Sequence, residues 1–166
     1  KSLFNNERPK IALLNIGLEE NKGNDVLKKT FSIFKKRDFT NFEFCGYIEG
    51  NQIMDGNVDV IITDGFTGNV ALKTAEGTAN FITKNIKKSL NTLSILLSYK
   101  SLKKFKEKLD PRKYNGAIFL GLEGPVVKSH GATDAIGFAH SIQMCNKIVR
   151  ADIIKKIKSH LITIDA

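Results

Sequence analysis

Val58-Asp59-Val60-Ile61-Ile62-Thr63, followed by Asp64-Gly65-Phe66-Thr67-Gly68-Asn69-Val70 and then Ala71-Leu72-Lys73-Thr74-Ala75-Glu76, is the stretch on which the fold class turns. A β-branched run, two glycines three apart and a series of good helix formers predict a strand, a tight loop and a helix N-terminus. Glycine lets the backbone turn sharply and approach a ligand closely. The first amides of a helix have no intrahelical acceptor and lie at the positive end of its dipole. Such a place binds anions. The same residues also fit a plain turn with Thr67 as N-cap, and one Gly-x-x-Gly does not decide between the two.

Working outward, Lys10-Ile11-Ala12-Leu13-Leu14-Asn15-Ile16 reads as a buried parallel strand. Gly17-Leu18-Glu19-Glu20-Asn21-Lys22-Gly23-Asn24 is a second glycine-bearing loop, and a helical pattern runs from Asp25 to about Lys36. In an open α/β sheet, ligands settle outside the carboxyl ends of strands, where such loops meet. Asn41 to Ile48 reads as a strand, Gly50 to Asn57 as turns, and a long helix is predicted from about Gly68 to Asn91. A second helical stretch, Leu93 to Leu109, follows a break near Asn91 to Ser94 and ends at Asp110-Pro111. Ala117 to Leu122 and Pro125 to Lys128 read as strands joined by Glu123-Gly124, with helix from Thr133 to about Leu161. The order predicts an α/β fold, a layered α/β/α sandwich with a mostly parallel sheet, and the Gly124-Pro125 pair predicts one antiparallel hairpin.

The 166 residues are one domain's worth, enough to bury a real core. Cys45 and Cys145 form no close pair and no secretory segment opens the chain, which predicts a reduced cytosolic setting with both thiols in the core. His130, His140 and His160 are ten and twenty residues apart with no carboxylate cluster, so no metal is expected. No apolar run reaches the length of a membrane span. The net charge of +9 is concentrated: Thr78 to Leu109 holds eight lysines against Glu107, a net of +7. One basic helical segment in a nearly neutral chain predicts a local docking surface. Nucleic acid is not the expected partner, since only Phe81, Tyr99 and Phe105 interleave with the lysines.

Leu13-Leu14-Asn15-Ile16-Gly17, Lys22-Gly23-Asn24, Tyr47-Ile48-Glu49-Gly50, Asp64 to Asn69, Leu72-Lys73-Thr74, Glu76-Gly77, Leu109-Asp110-Pro111 and Ser129-His130-Gly131 occur in an order and spacing that resembles the phosphate acyltransferase family of bacterial phospholipid synthesis (PlsX). The resemblance runs to about residue 145 and is to the carboxyl-terminal half of that family, whose chains open on an Asp-Ala-Met-Gly-Gly-Asp motif not found here. The whole chain, 1–166, is therefore expected to be half of an α/β domain with an incomplete sheet and a projecting basic helical segment at about 78–109. The resemblance implies acyl transfer from an acyl carrier protein thioester to inorganic phosphate, giving acyl phosphate. It also implies a cytoplasmic homodimer in peripheral contact with the inner face of the membrane, and no cofactor.

That reaction needs a positively biased phosphate cradle, donors at the oxyanion and exclusion of water. The candidates are Lys22, Asn69 and His130 for catalysis, and Asn15, Gly23, Asn24, Gly65, Thr67, Gly68, Asn69, Val70 and Lys73 for phosphate, the amides of Gly68 to Val70 included. Lys22 is a point charge beside a glycine and is also readable as a solvated lysine; the resemblance favours the first reading. Asp64 suits a structural acceptor of loop amides or of Thr67, since like charge repels phosphate. His130 fits a proton carrier or a turn cap. Leu93, Leu96, Leu97, Lys100, Lys103 and Lys104 are the expected membrane or carrier-protein contacts. Two departures from the family pattern fall at backbone-shaping places: Asn115 stands in a Tyr-Gly-Gly-Ala-Pro segment that reads Tyr114-Asn115-Gly116-Ala117-Ile118, and Gly46-Tyr47-Ile48 replaces a Gly-Asn ahead of Glu-Gly. Two other readings stand beside this one: a phosphate acetyltransferase-like enzyme using a coenzyme A thioester, and a non-catalytic basic module docking on acidic partners, whose binding would collapse with salt.

Overall fold

The computed structural model describes residues 6–108, 110, 115–131 and 133–164, and of residues 92–97, 106, 108, 160 and 162–164 the backbone alone. Its contacts group into two compact units that divide between Ala75 and Glu76.

In the first unit, β1 (Lys10–Leu14) is the centre of a three-stranded sheet, with β2 (Glu43–Ile48) on one side and β3 (Val60–Ile62) on the other, both parallel to it. A central parallel strand is covered on both faces, which is why Ile-Ala-Leu-Leu runs apolar without alternating. Ala12, Leu14 and Ile48 form the core of one face, closed by Ile53, Val58, Ile61 and by Ala71 from the helix α2 (Gly65–Ser89). The other face is aromatic. From α1 (Asp25–Lys35), Phe31 stacks on Tyr47 with ring centroids 4.6 Å apart, and Phe34 meets Phe44 edge-on at 5.1 Å. Phe44 and Tyr47 are three apart and reach the same face because β2 is bulged: Ile11 pairs with Phe44 but Leu13 with Tyr47. Gly46, at φ +84°, supplies the left-handed residue that the bulge needs. Helices thus lie against both faces of a parallel sheet.

Three strands are shorter than the apolar runs suggest. Ile16 leaves the sheet and is 80% exposed, although the Asn15 N–H still donates to the Ile48 carbonyl at 2.9 Å. At the start of β3 the Asp59 carboxylate accepts the Lys10 N–H at 2.8 Å, taking the place of a ladder carbonyl. Cys45 is exposed on the bulged edge strand and Cys145 half-buried, so the expected pair of core thiols is corrected.

The second unit holds the rest of α2, then α3 (Thr92–Lys108), β4 (Ala117–Phe119), β5 (Val126–Lys128), α4 (Ala135–Arg150) and α5 (Ile153–Ile164). The strands β4 and β5 form the antiparallel hairpin expected from Gly124-Pro125. The helix break falls at Leu90-Asn91. The single helix expected to Leu161 is two, because Asp152 takes φ +52° and ends α4 in the left-handed region that short polar side chains tolerate. α4 packs on β5 and buries Ile148 and Ser141.

Candidate functional site

Ala12 pairs with Ile61 and Leu13 with Ile62, so β1 and β3, being parallel, deliver their carboxyl ends side by side. The two glycine-bearing segments therefore start from one edge of the first unit. Asn15, at the end of β1, is 6% exposed and lies under the loop, where its side-chain amide donates to the Lys22 carbonyl at 3.2 Å. The Lys22 N–H donates to the Glu19 carbonyl at 3.0 Å. Lys22 thus has its backbone tied on both sides while the side chain is exposed.

Two glycines let this loop close. A Cβ on Gly17 would lie 2.7 Å from the Glu19 carboxylate and 3.0 Å from Lys22 Cγ, and one on Gly23 only 2.3 Å from Asn15 Oδ1. Gly23 also has φ +84°. Asn24 ends the loop by capping α1, its Oδ1 accepting the Leu27 N–H at 2.9 Å. Asn15, expected to touch phosphate, is a buried support of the loop. Asn24 spends its oxygen on the cap, which leaves the amide protons as its donors.

The start of α2 departs from expectation. The loop predicted over Gly65 to Val70 is helical from Gly65, because Asp64 is the cap: its carboxylate accepts the Thr67 N–H at 2.8 Å and its carbonyl the Gly68 N–H at 3.0 Å. The amides of Gly68 to Val70 lie inside the helix and do not point at an anion. Gly68 serves packing, since a Cβ there would meet Thr63 Cγ2 at 2.8 Å. What α2 offers are exposed side chains: Asn69 and Lys73, one turn apart and so on one face.

Hydrogen bonds from the Thr67 hydroxyl and amide hold the Asp64 carboxyl below its ordinary value of 3.8. The Asp64 carboxylate already lies at the positive end of this helix, where it offsets the dipole and repels a second anion. A group whose folded pKa is depressed stabilises the fold above its unfolded value, and that contribution is lost as pH falls through the folded pKa. The Thr67 amide signal is accordingly expected to titrate with a midpoint under 3.8, and to lose that transition in Asp64→Asn. A midpoint at or above the ordinary value would remove the cap.

In the second unit, His130 sits in the exposed turn between β5 and α4, its N–H donating to Asn115 Oδ1 at 2.9 Å and its carbonyl accepting the Thr133 N–H at 3.1 Å. Lys100, Lys103 and Lys104 are exposed on α3, whereas the side chains of Leu93, Leu96 and Leu97 lie outside the described residues. Between the later turns of α2 and α3 is a cavity of about 560 Å³, lined by Ile86, Leu90, Leu102 and Phe105 together with Lys87 and Lys103. Asn115 is not among the site residues expected from the sequence; the marks of it there are the Asn-Gly pair at 115–116, a turn signal, and its departure from the Tyr-Gly-Gly-Ala-Pro pattern. Among the described residues there is no group of three His, Cys, Asp or Glu side chains able to hold a metal, and no helix long and apolar enough to cross a membrane.

A family model described as fatty acid synthesis protein matches residues 1–156. A phosphate acyltransferase of Pelagibacter ubique is 57% identical over 166 residues, covering 97% of this chain and 50% of the relative. Phosphate acyltransferases of Thermotoga maritima and Roseobacter denitrificans are 46% and 44% identical, covering 92% and 93% of this chain and 48% and 45% of the relatives. The chain spans about half the length of the curated relatives it matches.

Proposed function

This chain belongs to the fatty acid synthesis protein family, that of the phosphate acyltransferases, and on that premise we propose that it supplies the phosphate-binding part of an enzyme that moves an acyl group from acyl carrier protein to inorganic phosphate. The observation that carries the reading is the loop at the end of β1, where the Asn15 amide and the Glu19 carbonyl hold the backbone of Lys22 and leave its ammonium exposed. An ammonium on a braced backbone is a prepared partner for a dianion, since less freedom is lost when the ion arrives.

In this reading a phosphate oxygen attacks the thioester carbonyl carbon, forming a C–O bond and a tetrahedral oxyanion, and collapse breaks the C–S bond and releases thiolate. Lys22 and Lys73 offset phosphate charge and Asn69 donates to the oxyanion, all three in the first unit. His130, in the second unit, is the proposed proton donor to the released thiolate. The exposed lysines of α3 and the apolar cavity that Lys87 and Lys103 help line support docking of an acidic carrier protein and its acyl group. A coenzyme A thioester is the competing acyl donor. A rate with acyl carrier protein well above that with acyl coenzyme A supports the first, and the reverse order the second.

The test is Lys22→Ala in a protein of the relatives' full length that contains this chain. Loss of one charge-assisted contact is worth about 1.5–3 kcal/mol, so KM for phosphate should rise by roughly ten- to a hundredfold. An unchanged KM would return Lys22 to the solvated surface.

A further inference from the structure

Asn115 lies two residues before β4, far in sequence from the residues that it touches. Its side chain is 9% exposed. Its Nδ2 lies 3.0 Å from Ser129 Oγ, 2.9 Å from Thr133 Oγ1 and 2.9 Å from the Gly137 carbonyl, while its Oδ1 accepts the His130 N–H at 2.9 Å. One amide therefore joins the end of β5, the turn that follows and the first turn of α4. With both its donor and its acceptor engaged, this buried group meets its hydrogen-bonding needs inside the protein.

The surroundings are shaped to let it in. Gly116 has φ +112°, and a Cβ there would lie 3.0 Å from Met144 Cβ and 3.2 Å from Ser141 Cα, so only glycine brings Asn115 this close to α4. A Cβ on Gly137 would lie 2.1 Å from Thr133 Oγ1. Removing either glycine's freedom would push apart the elements that the amide bridges.

The consequence falls on His130. Its N–H is held by Asn115 and its carbonyl by the Thr133 N–H, so the backbone of an exposed histidine in a turn is fixed on both sides. A fixed backbone fixes the Cα–Cβ direction and restricts where the imidazole can reach. We propose that Asn115 is a positioning residue that aims His130. The proposal rests on the reading of His130 as the group that hands a proton to the leaving thiolate. Asn115 touches no reacting atom; it acts by sparing the chemical step the search for a productive histidine orientation.

The experiment is nuclear magnetic resonance of a protein of the relatives' full length that contains this chain, labelled at histidine and at isoleucine methyl groups, comparing the parent with Asn115→Ala and Asn115→Asp. In Asn115→Ala the hydrogen-exchange protection of the His130 amide is expected to fall at least tenfold and the His130 ring protons to shift, while the Ile148 methyl signals of α4 stay in place. Asn115→Asp keeps an oxygen acceptor for the His130 N–H, and at a pH where its carboxyl is protonated it also keeps a donor for the Gly137 carbonyl, so under that condition it should retain most of the protection. Unchanged His130 signals in Asn115→Ala overturn the proposal. So does equal loss of protection in both variants with Ile148 undisturbed. If Asn115→Ala fails to fold, the aspartate variant decides by whether its His130 amide is protected. The premise fails separately: His130→Ala with undiminished acyl-phosphate formation would remove the proton-donor role and leave the nuclear magnetic resonance result as it stands.

Discussion

Asn69→Ala is expected to slow acyl-phosphate formation about a hundredfold, the effect of losing one oxyanion donor, roughly 3 kcal/mol. Asn69 stands one turn beyond the start of α2, on a helix that Asp64 caps and that Gly68 seats against Thr63. A short side chain on such a support has few rotamers to lose, so its amide can be placed before charge develops on the carbonyl oxygen. A donor that acts only on the transition state lowers kcat and leaves KM for phosphate nearly unchanged. The assay measures both constants with acyl carrier protein as donor, in the full-length context. A rise in KM at constant kcat would move Asn69 from the oxyanion to ground-state binding of phosphate. No change in either would remove it from the site.

Gly23→Ala is expected to cost roughly 2–4 kcal/mol of stability and to weaken phosphate binding with it. Two separate causes add. An alanine at φ +84° is strained whatever surrounds it, and its Cβ would overlap Asn15 Oδ1 at 2.3 Å. Asn15 is buried at the end of β1 and cannot swing into solvent, so the loop must lift, taking the Lys22 carbonyl off the Asn15 amide. The double variant Asn15→Ala, Gly23→Ala separates the causes, because it relieves the overlap and keeps the backbone strain. Denaturant unfolding of the four members of the cycle should give a favourable coupling of about 1–2 kcal/mol. Strict additivity would show that the cost is backbone strain alone.

The parallel α/β class was legible in the chain because its signals are local. The unalternating apolar run of β1, the β-branched run through β3 and the helical spacing after each glycine loop all act within a few residues. The helical pattern from Asp25 marks α1, and Gly124-Pro125 marks the hairpin. The loop around Lys22 was legible for the same reason, since Gly17 and Gly23 bracket it in sequence. The start of α2 was misplaced by three residues. Two glycines suit a loop, but one capping carboxylate at Asp64 outweighs the small propensity cost of glycine in a first turn. The helical pattern from Thr133 to Leu161 is likewise unbroken in the sequence, since no glycine marks the left-handed position at Asp152.

The sequence by itself determined the fold class, the family and the places where backbone turns outside the strand ends, because propensity and glycine spacing are properties of neighbouring residues. The tertiary structure alone decided which polar groups are spent and which remain to meet a ligand. Asn15 and Lys22 are seven residues apart, and Asn115 and Gly137 twenty-two. Phe44 and Tyr47 share a face only through a bulge read against β1. A buried amide takes as partner whatever acceptor packing brings within about 3 Å, and that choice is made by the whole chain at once.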